Sequence, residues 1–173
     1  MKACKDVFNR TGIKPKVHVK IDTGMSRTGF YWPDNESQKQ KVAQEIFEAC
    51  NLPGIYAEGI FTHFAAADDD KNYTHLQLQR FNDARNTLAK LGKIFKIAHA
   101  AASIGTLDYP EAHLDMARFG LVLYGYASTE TGNENSTLGL RPVMTLKSRI
   151  TAVRKLPTGT TISYGRTCTL NRD

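Results

Sequence analysis

Apolar positions along the chain alternate between a strand-like and a helix-like period, and the order of the switches outlines the fold. Lys16–Asp22 (KVHVKID) is a short β-rich run closed by the turn pair Thr23-Gly24. Residues 36 to 50 follow a helical period: Val42, Ile46, Phe47 and Cys50 share one face, and Asn51-Leu52-Pro53-Gly54 stops it. A second strand is expected within 55–66, around Gly59-Ile60-Phe61-Thr62-His63-Phe64-Ala65. After the acidic turn Asp68-Asp69-Asp70, a second helix buries Tyr73, Leu78, Phe81, Ala84, Leu88 and Leu91, and Gly92 closes it. A third strand is expected over 94–101 and a helical turn from Ser103. Two further strand-like runs, 114–118 and 121–126, flank Gly120. Strands alternating with helices imply a parallel sheet, because parallel neighbours need a crossover between them.

The character changes after Tyr126. Residues 128–139 (STETGNENSTLG) are polar and turn-rich. Residues 142–156 then read as a long strand with Val143, Leu146, Ile150 and Val153 on its apolar positions. Pro157-Thr158-Gly159 turns the chain, and 160–164 runs back as the second arm of a hairpin, the mark of an antiparallel module. A closed eight-fold barrel typically takes about 250 residues, so the βα units here make roughly half of one. One hairpin has too few strands to stand alone. The expected class is therefore α/β: the second half of a (β/α)8 TIM-type barrel followed by the first strands of an antiparallel β-domain. In residue terms, 1–127 is a partial barrel, 128–141 a linker and 142–173 the start of the β-domain, with the chain cut at both ends.

Composition narrows the class. Hydrophobic residues at 41% and charged residues at 23% of 173 belong to an ordinary soluble globular chain. No run of about eighteen apolar residues is present, so no membrane span is expected. The first residues lack a secretory-type apolar stretch, which points to the cytoplasm. The formal charge of +6 comes from lysines and arginines scattered over the segments, not interleaved with aromatics. That pattern suits a solvated surface with a pocket for an anionic small molecule, and no nucleic-acid partner is expected. Cys4, Cys50 and Cys168 are odd in number and far apart, without zinc-ligand spacing; they read as free thiols, and no metal is expected.

The candidate chemistry lies at strand ends. In Lys20-Ile21-Asp22-Thr23-Gly24-Met25-Ser26-Arg27-Thr28-Gly29-Phe30, a strand lysine precedes a loop arginine, and both come to the strand's C-terminal mouth. βα folds keep active sites there. The plainer alternative makes Lys20 an edge lysine reaching solvent and Arg27 a loop charge. His63 ends the next strand, as a hydrogen-bonded core group or as a catalytic one. Ser103 is a helix N-cap, or a hydroxyl that cradles phosphate together with the N–H groups behind it. Arg118-Phe119-Gly120-Leu121 lies between the last two strand-like runs, and Gly120 lets the backbone approach a ligand closely. Arg118 can hold a phosphate, pair with a carboxylate or face a ring nitrogen; spacing does not decide among these.

Several segments, in order, resemble the bacterial alanine racemase family. They are Val17-His18-Val19-Lys20-Ile21-Asp22-Thr23-Gly24-Met25-Ser26-Arg27, the run Gly59–Ala65 in 59–65, and Met116-Ala117-Arg118-Phe119-Gly120 with Leu123-Tyr124-Gly125. Leu146-Lys147-Ser148-Arg149-Ile150 and Ser163-Tyr164-Gly165-Arg166-Thr167 complete the set. The resemblance implies pyridoxal 5'-phosphate (PLP) as cofactor, alanine as substrate, D-alanine supply for peptidoglycan and a homodimer in the full-length protein. It implies that Lys20 is carbamylated and orients Arg27, which contacts the substrate carboxylate. Arg118 faces the pyridine nitrogen, His63 relays between Arg118 and a catalytic tyrosine, and Ser103 with the Gly120 and Leu121 backbone binds phosphate. One position departs from the family: Ala102 stands where an asparagine usually precedes the serine.

The same resemblance implies two groups that are not matched here. The family's Schiff-base lysine lies near a Tyr-Gly-His run on the first barrel strand, and the tyrosine opposite it is expected from a Gly-Tyr-Ala-Asp segment beyond Asp173; Tyr124 and Tyr164 are assigned to other motifs. The 173-residue polypeptide alone is therefore expected not to racemise alanine. Alternatives are a racemase for serine or another small amino acid, and a non-catalytic PLP-binding module.

Overall fold

The computed structural model describes residues 2–127 and 138–172. A helix absent from the sequence-based expectation, α1 (Lys2–Thr11), opens the chain. The remaining elements of the first unit are β1 (Lys16–Asp22), β2 (Phe30–Tyr31), α2 (Glu36–Cys50), β3 (Tyr56–Phe61), α3 (Lys71–Lys90), β4 (Ile97–His99) and α4 (Ser103–Asp108). Strands align in the order β2-β1-β3-β4, every pairing parallel. The sheet does not close on itself among the described residues, as befits half a barrel.

Local chemistry explains the long helices. Asn35 caps α2 by accepting from the Gln38 N–H, and Asp70 caps α3 by accepting from the Tyr73 N–H at 2.9 Å. Their apolar faces lie on the sheet: Ala43, Ile46 and Cys50 from α2, Leu78, Phe81, Ala84 and Leu88 from α3. These pack with Val19, Ile21 and Ile60 into one core beneath the strands. Phe47 and Tyr73, expected inside, sit half-buried at its margin.

Four expectations are corrected. The strands over 55–66 and 94–101 shorten to Tyr56–Phe61 and Ile97–His99, because the chain at each C-terminal end leaves the sheet to form the site. Residues 121–126 are no strand: Leu121–Tyr124 is a 3-10 turn, with the Leu123 and Gly125 N–H groups donating back to the Gly120 and Val122 carbonyls. Gly125, at φ +80°, ends it. Residues 114–118 also form no strand, although the Asp115 N–H donates to the Ala98 carbonyl and that of Arg118 to Ala101. A short apolar run does not distinguish strand from turn, and glycine at 120 and 125 favours the turn.

The chain divides into two compact units, Met1–Val143 and Met144–Asp173. In the second, the long strand over 142–156 does not form; Leu146, Ile150 and Val153 are exposed. The antiparallel ribbon instead pairs β5 (Thr161–Ile162) with β6 (Cys168–Thr169). A lone strand leaves its backbone groups without partners, whereas β5 and β6 are joined closely enough to satisfy each other. The expected linker falls outside the described residues over 128–137.

Candidate active site

The C-terminal ends of β1, β3 and β4 and the segment after α4 bring cations, imidazoles and a hydroxyl together. Arg118 is the hub. Its Nη2 donates to the carbonyls of Thr62 at 2.9 Å and Ala100 at 3.0 Å, which fixes the guanidinium against the ends of β3 and β4. The same nitrogen meets His63 Nδ1 at 3.1 Å, and Nη1 meets His99 Nδ1 at 2.6 Å. The Phe61 ring lies beneath, its centroid 5.4 Å from the guanidinium carbon. A guanidinium only donates, so both imidazoles accept through Nδ1 and carry their proton on Nε2.

These contacts keep the imidazoles neutral. Burial pushes the His63 pKa down, and the charges of Arg118, Arg27 and Lys20 push it further. His99 falls to about 4, again through burial first, then Arg118 and His18. Burial also lowers Arg118, yet a guanidinium starts so high that it keeps its charge.

Ser103 is not the cap of α4; Ala102 holds that position and offers no side-chain bond. The Ser103 hydroxyl is turned across to the neighbouring segment, where its Oγ accepts from the N–H of Gly120 at 3.0 Å and of Val122 at 3.4 Å. An open cavity of about 410 Å³ lies beside it, walled by His63, Ser103, Ile104, Arg118, Gly120 and Leu121 among others. A Cβ on Gly120 would meet only Ser103 Oγ, at 3.8 Å. The space next to that hydroxyl is open rather than packed with protein.

Lys20 and Arg27 stand apart from the cavity wall but within its electrostatic reach. Lys20 Nζ donates to Thr28 Oγ1 at 3.2 Å. Its pKa is lowered, by burial first and then by Arg27 and Arg118, against the pull of Asp22. Gly29 is required here: at φ +110°, a Cβ would come 2.8 Å from the Lys20 carbonyl oxygen. Asp22 Oδ1 ties the loop by accepting from the N–H groups of Gly24 and Ser26, each at 3.0 Å, and leaves Arg27 exposed beyond it.

Sequence reasoning missed two groups of residues. Gln77, fully buried on α3, accepts from the Ala65 N–H at 2.8 Å and donates to Thr23 Oγ1 at 3.2 Å and the His63 carbonyl at 3.4 Å. Thr23 and Thr62 share a further bond at 2.7 Å, so the ends of β1 and β3 are locked to the helix. The available signal was a glutamine on the apolar face that also carries Phe81, Ala84 and Leu88. The other group is His18, His99 and Glu58, polar residues inside strands. In the second unit, described by itself, the Tyr164 side chain is 98% exposed. It sits on a short turn whose neighbours Ser163, Gly165 and Arg166 all have positive φ.

Among the described residues, no three His, Cys, Asp or Glu side chains gather to hold a metal, and no helix is long and apolar enough to cross a membrane. Comparison with known proteins is consistent over both units. Residues 1–128 match the family model of the alanine racemase N-terminal domain, and residues 143–173 that of the C-terminal domain. An alanine racemase of Desulforamulus reducens is 44% identical over 163 residues, which are 94% of this chain and 42% of the relative. One from Clostridium tetani is 41% identical over 166 residues. Among solved structures, alanine racemase of Clostridium difficile 630 superposes with a TM-score of 0.75 at 34% identity, covering 99% of this chain and 44% of that one. Another, from a D-cycloserine-producing Streptomyces lavendulae, gives 0.78 at 29% identity. The chain thus spans about two fifths of the length of the curated relatives it matches.

Proposed function

The chain belongs to the alanine racemase family, and from that premise we propose that it serves the PLP-dependent interconversion of L- and D-alanine, supplying D-alanine for peptidoglycan. The observation that carries this is the shared wall formed by Arg118, His63, Ser103 and Gly120 around one cavity. Those residues suit the cofactor: a hydroxyl and glycine backbone beside open space match a phosphate, and a permanently charged donor held by carbonyls and imidazoles matches a ring nitrogen. When bound, PLP supplies an electron sink for proton loss at the substrate's α-carbon.

The chain's own residues have distinct tasks. Ser103, Gly120 and Leu121 hold the phosphate. Arg118 donates to the pyridine nitrogen without surrendering a proton, which restrains the electron sink and limits side reactions. His63, kept neutral, passes hydrogen-bond polarity from Arg118 towards a tyrosine. Arg27 binds the substrate carboxylate. The depressed Lys20 amine is primed to take up CO2, because only the neutral amine attacks it. That uptake releases a proton to solvent, and the resulting carbamate anion would attract and orient Arg27. Domain division follows the same premise: a barrel part over 1–127, a linker over 128–141 and a β-domain part from 142. The proposal extends to a homodimer in the cytoplasm, a reducing compartment that suits the free cysteines Cys4, Cys50 and Cys168.

Racemisation needs an acid–base group on each face of the substrate. The 173 residues contain no Tyr-Gly-His run of the kind that accompanies the family's Schiff-base lysine. For the opposing tyrosine, one observation favours a position within the chain over one beyond Asp173. Tyr164 presents a fully exposed phenol on a turn of left-handed residues, a costly conformation that function retains better than stability does.

The purified polypeptide is expected to bind PLP saturably in equilibrium dialysis and to produce no D-alanine from L-alanine. Absence of PLP binding overturns the cofactor site. Turnover near that of a complete enzyme overturns the assignment of the lysine base to a segment outside these residues.

A further inference from the structure

Beyond Arg118, among residues that do not line the cavity, polar side chains continue across the strands. His18 on β1 and His99 on β4 are separated by β3, yet His18 Nδ1 and His99 Nε2 approach to 2.6 Å. They meet over Gly59, the β3 residue in register with His18. A Cβ there would lie 2.6 Å from His18 Nδ1, so any other residue at 59 would drive the rings apart. His99 is stacked on Phe61, with 4.9 Å between ring centroids and 5° between planes, and cannot turn freely. Beyond His18, its Nε2 faces Glu58 Oε2 at 3.9 Å, and Glu58 is held by Lys16 at 2.9 Å.

Donor logic gives this chain one direction. Arg118 can only donate, so His99 Nδ1 accepts. The neutral His99 therefore has its proton on Nε2 and donates it to His18 Nδ1. His18 in turn carries its proton on Nε2, towards the Glu58 carboxylate. Reversing any link sets two donors against each other. We infer that His18 is a positioning residue for Arg118: the guanidinium fixes the His99 tautomer, and His18, by accepting from Nε2, anchors the ring where its Nδ1 meets the guanidinium, and so sets the arginine's aim into the cavity. What Arg118 aims at rests on the proposed function; the chain itself rests on geometry alone.

The test reads tautomers first and cofactor second. Long-range 15N–1H correlation spectra of the 173-residue polypeptide without PLP are expected to show His99 and His18 both protonated on Nε2 and bare on Nδ1. His18→Gln offers an accepting oxygen and is expected to preserve the His99 tautomer. His18→Phe removes the acceptor; the His99 Nε2–H then exchanges with solvent faster while Arg118 keeps the tautomer, and PLP affinity drops about tenfold, the value of one hydrogen bond to a charged group. Glu58→Gln is expected to leave both tautomers and the unfolding midpoint near those of the parent, since the carboxylate stands 3.9 Å from His18.

A His99 proton on Nδ1 in the parent polypeptide overturns the inference, and that spectrum decides even where His18→Phe fails to fold. So does an unchanged exchange rate of the His99 Nε2–H in His18→Phe. The two proposals fail separately. Expected tautomers without PLP binding refute the cofactor assignment and leave the chain standing. PLP binding with the opposite tautomers refutes the chain alone.

Discussion

The two compact units carry similar apolar patterns and reach opposite ends of burial. In Met1–Val143, Ile21, Ile46, Ile60, Phe81 and Leu88 are fully enclosed. In Met144–Asp173, Leu146, Ile150 and Val153 are almost wholly exposed. The difference lies in partners. Each strand of the first unit has a hydrogen-bonded neighbour, and two long amphipathic helices cover the sheet. The second unit has a single two-residue ribbon, which cannot shield a core. An alternating pattern is therefore a requirement for another surface, and becomes structure only when that surface is supplied.

Breaking the core of the first unit tests this contrast most severely. Phe81→Ala is expected to destabilise it by about 3–5 kcal/mol, read by urea denaturation; a loss under about 1 kcal/mol would mean the core is not packed as described. Acid comes next. His99 has its pKa lowered to about 4, facing Arg118 and His18, with His63 beyond the arginine. The unfolded chain binds the proton near pH 6.5 and the folded one resists it until about 4, so stability is full above the unfolded value and falls as pH drops through that window. The loss reaches about 3 kcal/mol; a flat pH–stability curve between those values contradicts a neutral, buried His99.

Smaller effects sharpen the picture. Ser103→Ala removes the hydroxyl beside the open space and the acceptor of the Gly120 and Val122 N–H groups; it is expected to weaken PLP binding about tenfold and to cost about 1–3 kcal/mol by urea denaturation. In CO2-rich buffer, intact-mass analysis of the protein trapped by alkylation is expected to show one carbamate, lost in Lys20→Arg; uptake elsewhere counts against Lys20. Smallest of all, Val153→Ala is expected to change stability by under about 0.5 kcal/mol, since its side chain lies in water.

Much of this molecule was legible in advance, for identifiable reasons. The helices over 36–50 and from 71 announced themselves through a long apolar period and the stops at Asn51-Leu52-Pro53-Gly54 and Gly92, both local signals. Lys20, Arg27, His63, Ser103 and Arg118 stood out because family motifs surround them. Gln77 and His99 did not, because their value depends on groups far away in the chain: Gln77 on Thr23 and His63, His99 on His18 and Arg118. The shortness of β4 and the 3-10 turn at Leu121–Tyr124 were also hidden, since a brief apolar run fits either conformation.

The amino-acid order by itself determined the alternation of strands and helices, their caps, and the cations placed at strand ends, because each depends on neighbours a few residues away. Only the tertiary structure decided that His18 and His99 touch over Gly59, that Ser103 turns from α4 towards Gly120, and that the pattern over 142–156 stays open. Those outcomes depend on which distant surfaces meet, and a hydrogen bond or a buried face exists only once both sides are in place.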